Sequence, residues 1–172
     1  MSDFTYQILK DTTEKAVIKL TGIFTNTTPE DNNARILASS LSGALNANAT
    51  PGLLSSGGDP LDFYHLRPTR INYSVGFPDN AGVEIYFTGD TNATIAFLTK
   101  SGEIGSENLG LPAIENNADA PTGDIGIKTY GQTANSGYTI IIELRKDNAM
   151  YQRGQFDNPQ AFNYPPFDVQ PK

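Results

Sequence analysis

Apolar and polar residues alternate along much of this chain with a period of two, most regularly toward its end. Tyr138, Ile140, Ile142 and Leu144 share one register there, while Thr139, Ile141, Glu143 and Arg145 share the other. Successive strand side chains point to opposite faces, so one apolar and one mixed register predict a half-buried antiparallel strand over Gly137–Lys146. Residues 124–129 predict a second strand, joined to it by the Gly- and Asn-rich turn 131–136. Over Lys15–Phe24, Ala16, Ile18 and Leu20 oppose Val17, Lys19 and Thr21, which predicts another half-buried strand. Residues 4–9 precede it across the polar turn 10–14.

Between 69 and 100 three alternating runs follow one another: Ile71, Tyr73 and Val75; Val83, Ile85 and Phe87; then Ile95 and Phe97. Short polar turns at 78–82 and 89–92 separate them, and that spacing predicts an antiparallel meander. A turn at 25–33 leads to a short strand at 34–38. Residues 39–60 carry Pro51-Gly52 and Gly57-Gly58-Asp59-Pro60, so they read as a loop with a short helical turn at 40–46. Residues 101–121 form a second long excursion, interrupted by Gly102, Gly105, Gly110, Pro112 and Pro121. The pattern predicts an all-β domain over 1–146, an antiparallel β-sandwich with long loops, with jelly-roll winding among its forms.

After Asp147 the pattern stops. Pro159, Pro165, Pro166 and Pro171 exclude a helix or a central strand from 147–172. Tyr151, Phe156, Phe162, Tyr164 and Phe167 are too many large apolar groups for a segment that stays solvated. An extended C-terminal arm is predicted, with these five aromatics as partner-contact residues. Whether the arm docks on its own domain or on a neighbour is left open by the sequence.

Length adds that 172 residues suit a single domain able to bury a core without a staple. Cysteine is absent, which excludes disulfides and thiolate metal sites and fits synthesis in a reducing cytoplasm. With 12 basic against 19 acidic residues, a net charge of −7 and no basic cluster, nucleic acid is not an expected partner. Charged residues are only 18% of the chain, and Asn, Thr, Ser and Gly take their place, a surface suited to packing against neighbours. The N-terminal residues show no secretory pattern, and no apolar run approaches the ~18 residues of a membrane helix, so neither export signal nor membrane span is expected.

Candidate chemistry is sparse. His65 is the single histidine, and no G-x-S-x-G, P-loop or G-x-G-x-x-G motif accompanies it. Asp59, Asp62 and His65 recur at a spacing of three, which on a helix could gather metal ligands; Pro60 among them favours a loop instead. Asp79-Asn80 and Asp90-Thr91-Asn92 are better explained as turn residues than as calcium ligands. Tyr6, Tyr64, Tyr73, Tyr86, Tyr130 and Tyr138 interleave with core positions, so packing is expected of them rather than sugar stacking. Glu84 and Glu143 sit in the polar register of their strands, which reads as surface exposure and not as the paired acids of a glycosidase. No catalytic, cofactor-binding or metal-binding residue is expected, and the chain is read as a non-enzyme.

Several short segments then carry a resemblance. Gln7-Ile8-Leu9-Lys10, Ala16-Val17-Ile18-Lys19-Leu20-Thr21-Gly22, Leu53-Leu54-Ser55-Ser56-Gly57-Gly58, Gly123-Asp124-Ile125-Gly126-Ile127, Ala134-Asn135-Ser136-Gly137-Tyr138-Thr139-Ile140 and Leu144-Arg145-Lys146 follow in order across most of the chain. Together they resemble structural proteins of marine tailed bacteriophages, including cyanophages. The resemblance implies a virion component without enzymatic activity: a capsid decoration or cement protein on the head surface, made in the host cytoplasm. Its implied partners are the major capsid protein and further copies of itself, as a dimer or trimer. A neck, tail or fibre module contacting other virion proteins or a receptor is the alternative.

Overall fold

A computed structural model describes residues 2–30, 33–44, 64, 66–105 and 114–146. Among the described residues the chain forms nine strands and one 3₁₀ turn, at Ala38–Ser40. The strands are β1 (Ser2–Asp11), β2 (Lys15–Phe24), β3 (Asn33–Ile36), β4 (Leu66–Val75), β5 (Gly82–Phe87), β6 (Ala93–Leu98), β7 (Ser101–Gly105), β8 (Ile125–Tyr130) and β9 (Gly137–Lys146). They build a five-stranded sheet of order β1-β2-β9-β4-β7 and a four-stranded sheet of order β3-β8-β5-β6. All of the strand pairs are antiparallel.

Four of the pairs are nested: β2 with β9, β3 with β8, β4 with β7, and β5 with β6. A long hairpin wound over two sheets in this way is a jelly roll, and β1 extends it by one strand on the outer side of β2. The all-β sandwich expected from alternation is therefore present, in its jelly-roll form.

Cross-strand register aligns the apolar positions into rows. Ile18 faces Ile142, which faces Ile71; Leu20, Ile140 and Tyr73 form the next row. In the second sheet Ile85 lies opposite Ile127, and Phe87 opposite Ile125. These rows meet in one core drawn from both sheets, where Ile18, Ile140, Val83, Ile125 and Ile127 are completely buried. Antiparallel neighbours on one face lie close enough that each row packs as a unit, and burial of each such side chain stabilises the fold by about 2 kcal/mol.

The structure departs from the sequence reading, or adds to it, at several places. The three runs over 69–100 do not form one meander: β5 pairs with β6, but β4 belongs to the other sheet, between β9 and β7. Ser101–Gly105, expected to open a structureless excursion, is an edge strand, because Ile104 pairs with Ile71 and Tyr73 with Gly102. The Tyr73 side chain covers Gly102 so closely that a Cβ there would stand 2.5 Å from its hydroxyl. A 3₁₀ turn lies at Ala38–Ser40, where Leu37 O accepts from Ser40 N–H and Asp124 Oδ1 accepts from Ala38 N–H at 2.8 Å; of the turn expected at 40–46, Leu41 O accepts from Ala44 N–H, and 45–46 lie outside the described residues. In β6, Phe97 is outward beside Glu84, while Leu98 and Ala96 pair with inward Val83 and Ile85. A register shift between Ile85 and Tyr86 moves Ile95 out of the simple alternation that had grouped it with Phe97. Finally, β9 keeps its inward register to the last residue, so Lys146 is buried. Its ammonium donates to Asp11 Oδ1 at 2.6 Å, Thr12 O at 2.6 Å and Ser42 O at 2.7 Å.

A second buried polar centre lies toward the opposite end of β9. Gly22 is the cross-strand neighbour of Tyr138, and a Cβ on it would approach the Tyr138 ring to 2.4 Å. Only glycine lets that ring lie across β2. The Tyr138 hydroxyl then donates to Glu30 Oε2 at 2.6 Å, while Arg35 Nη2 donates to Glu30 Oε1 at 3.1 Å. Arg35 also lies over the Phe4 ring, 4.2 Å from its centroid. Thr129 and Glu30 exchange two more bonds, Glu30 N–H to Thr129 Oγ1 and Thr129 N–H to Glu30 O. Glu30 thus joins β3 and β9 through its carboxylate and β8 through its backbone, and Arg35 carries the link on to Phe4 of β1. Burial, and then the charge of Glu30, push the Tyr138 phenol well above its ordinary pKa.

Two predictions follow from these polar contacts. Tyr138→Phe removes a buried hydrogen bond to a charged group, and chemical denaturation should show a loss of about 2 kcal/mol. Burial raises the pKa of Asp124, although the bonds from Ala38 N–H and Thr122 act in the other direction. An acid raised on folding holds its proton more tightly in the native state, so stability falls as pH rises from the unfolded carboxylate value through the folded one. Asp124→Asn keeps an acceptor for Ala38 and should flatten that part of the stability–pH profile, measured by urea melts at a series of mildly acid pH values.

Candidate interaction surfaces

Among the described residues, β1 is the longest strand at a sheet edge. Its inner-facing residues Phe4, Tyr6 and Ile8 sit opposite Gly22, Leu20 and Ile18 of β2. The five-stranded sheet is one strand wider than its partner, and the three residues become more exposed along the strand. Phe4 and Tyr6 are half-buried, whereas Ile8 is 45% exposed. A bulge between Ile8 and Lys10 sets Leu9 out of register at 47% exposure. Ile23 adds a further outward apolar residue on β2, 53% exposed.

A second surface lies on the outer face of the four-stranded sheet. Phe97 leans across β5 above Gly82, where a Cβ would come within 2.6 Å of the ring. Tyr130, the neighbour of Gly82 on β8, meets it with ring centroids 5.7 Å apart. Glu84 lies beside them and accepts from Tyr130 Oη and from Thr94 Oγ1, each at 2.5 Å. Lys128 Nζ stands 5.2 Å from the Tyr130 ring centroid. The hydrogen bond to Glu84 is the main reason the Tyr130 phenol is shifted above its ordinary pKa. Covering a strand glycine with a diagonal aromatic is also a structural device, which accounts for the Phe97 placement without a ligand.

Apart from Ile23 and the partly covered Val17 and Ile141, the outer face of the five-stranded sheet is mostly polar. Thr21, Thr139, Ser74 and Ser101 form one cross-strand row. Arg70 pairs with Glu103 at 2.9 Å and Lys15 with Glu143 at 3.6 Å, both partly exposed pairs that contribute little to stability. A shallow groove of about 470 Å³ runs between the turn at Pro78–Ala81 and Thr99–Lys100. Its charged members, Asp79 and Lys100, face each other at 4.0 Å and are almost fully exposed, so no chemistry is concentrated there.

The residues singled out in the sequence fall unevenly on this picture. Tyr151, Phe156, Phe162, Tyr164 and Phe167 lie outside the described residues, as do Asp59, Asp62 and His65. Glu84 and Glu143 are on outer faces, as their register predicts, on different sheets and each with a partner. Of the tyrosines, Tyr86 and Tyr138 are buried and Tyr6, Tyr64 and Tyr73 pack against the core, whereas Tyr130 is outward and 37% exposed. Among the described residues no three His, Cys, Asp or Glu side chains converge as a metal site. Within the same residues no helix is long and apolar enough to cross a membrane. The edge residues Ile8 and Leu9 were not distinguished by alternation; the only local signal for them is the break in period at Leu9-Lys10. No family model, curated protein or solved structure matches the chain.

The hydrogen bond that raises the Tyr130 pKa gives a direct check of the second surface. Glu84→Gln removes the charged acceptor, so the Tyr130 titration should move down toward the ordinary phenol range. Carbon-13 NMR of labelled tyrosine, read against Tyr130→Phe for assignment, measures the shift.

Proposed function

We propose that this chain is a structural protein of a tailed-bacteriophage virion, a capsid decoration or cement protein that stabilises the head shell by contact rather than catalysis. The observation that supports this best is the long β1 edge with Ile8, Leu9 and Ile23 displayed near it. Unpaired strand edges and half-exposed apolar residues are surfaces for adding another chain, and a jelly roll held by its own core supplies them without a cofactor. In this reading the subunit is a homo-oligomer, its partner is the major capsid protein, and it resides on the capsid surface. Tyr151, Phe156, Phe162, Tyr164 and Phe167 serve as the anchors that reach the shell. Neither nucleic acid nor membrane is a partner, in keeping with the acidic balance.

A second reading is favoured by the Phe97–Tyr130 pair with its adjacent carboxylate. Such a patch suits a neck, tail or fibre module that meets a receptor. Abundance separates the two. A cement protein is expected in purified virions at a level comparable with the major capsid protein, whereas a neck, tail or fibre part is a small fraction of it. Quantitative mass spectrometry of virions makes the measurement, and absence of the chain from virions would refute both readings. Replacing the five tail aromatics by Ser in the full chain should abolish co-sedimentation with heads lacking the protein while leaving its thermal melt unchanged.

A further inference from the structure

We infer that β1 is a self-association edge: two copies pair antiparallel through β1 about a twofold axis at Tyr6, joining their five-stranded sheets into one continuous sheet. The inference gives the homo-oligomer of the proposed function its surface and rests on that part of it. β1 pairs with β2 along one side only, and among the described residues no strand occupies its other side. Nothing from Asp3 to Ile8 blunts that edge: it holds no proline, no lysine and no inward charge. The bulge and Lys10 lie at its far end, and the inward carboxylate of Asp11 is already taken by Lys146.

The occupant is read from the strand itself, because its sequence is complementary to its own reverse. With Tyr6 on the axis, Phe4 lies opposite Ile8 of the other copy and Thr5 opposite Gln7. Facing rules are then obeyed, since Phe4, Tyr6 and Ile8 share the inner face and Thr5 and Gln7 the outer one. Asp3 meets the Leu9–Lys10 bulge of the other copy, so opposite charges come together at both ends. Ile8, nearly half exposed in the single subunit, is covered by a phenyl ring.

Neighbouring registers are worse in stated ways. With Thr5 on the axis, Ile8 faces Ser2 and Asp3 is carried away from Lys10. With Gln7 on the axis, the bulge brings Phe4 opposite the inward carboxylate of Asp11. An isologous pairing of this kind closes on itself, so the product is a dimer and not a fibre.

Sedimentation equilibrium of the full chain is expected to give a dimer mass. Ile8→Lys places a charge without a partner against Phe4 of the other copy, and association should weaken about tenfold or more. Phe97→Lys, a comparably exposed change on the four-stranded sheet, should leave the dimer intact. Because the chain has no cysteine, a Thr5→Cys/Gln7→Cys variant tests the register directly. Directly opposed strand residues stand about 4.5–5.5 Å apart at Cα, within disulfide reach, so mild oxidation should give a covalent dimer on a non-reducing gel. Asp79→Cys, an exposed control, should give none. A monomer or trimer, a dimer insensitive to Ile8→Lys, or a dimer that the cysteine pair does not capture would overturn the inference. The abundance measurement in virions would still decide the capsid reading on its own.

Discussion

Everything in this fold hangs on the pairing of β2 with β9, strands that lie near opposite ends of the described chain. Their register runs without a break from Lys15 opposite Arg145 to Ile23 opposite Gly137. β1 attaches to the outer side of β2 and β4 to the outer side of β9, so the wide sheet has no other centre. The same pairing brings Ile18 and Ile142 side by side over the second sheet, which turns two half-buried strands into one wall of a core. Pairing at such separation carries a large loop-closure cost, met only once several rows are buried together, so slow and cooperative folding is the physical corollary.

Two buried polar centres hold the ends of that central pair. Near the end of β9, Lys146 is surrounded by the carboxylate of Asp11 and the carbonyls of Thr12 and Ser42, which ties β9 to the β1–β2 turn and the segment after the 3₁₀ turn. Near its start, Tyr138 crosses Gly22 to reach Glu30, and Arg35 completes the carboxylate's bonding while shielding Phe4. Buried ions are costly unless their hydrogen bonds are made, so each centre tolerates few geometries. They therefore act as registers: a slip of β9 by one residue would turn Tyr138 and Lys146 outward and leave Glu30 and Asp11 without them.

With the ends pinned inward, what the molecule offers outward is backbone edge and a few side chains. Beside Ile23, the outer face of the wide sheet carries mostly Thr, Ser and weakly paired ions, and the groove beside Pro78–Ala81 gathers no concentrated charge. The distinctive outward features are the β1 edge and the Phe97–Tyr130–Glu84 patch, which lie on different sheets. The described residues present these surfaces, and the proposed role in assembly draws on them.

Alternation alone determined that this chain is built of strands and which face of most strands is apolar, because side-chain direction in a strand depends only on position along it. Val17 against Ile18, or Thr139 against Ile140, was legible in that way. Tertiary structure decided what a period cannot carry: which strands pair, where a bulge resets the count, and which polar residues go inside. Phe97 faces out because a register shift in β5–β6 changes the parity before it, and Ser101–Gly105 becomes a strand because β4 offers an edge there. Lys146 and Glu30 are buried because partners remote in sequence meet them, and no local composition signals such partners. Pairing and burial of charge are long-range properties, settled only when the whole sheet closes.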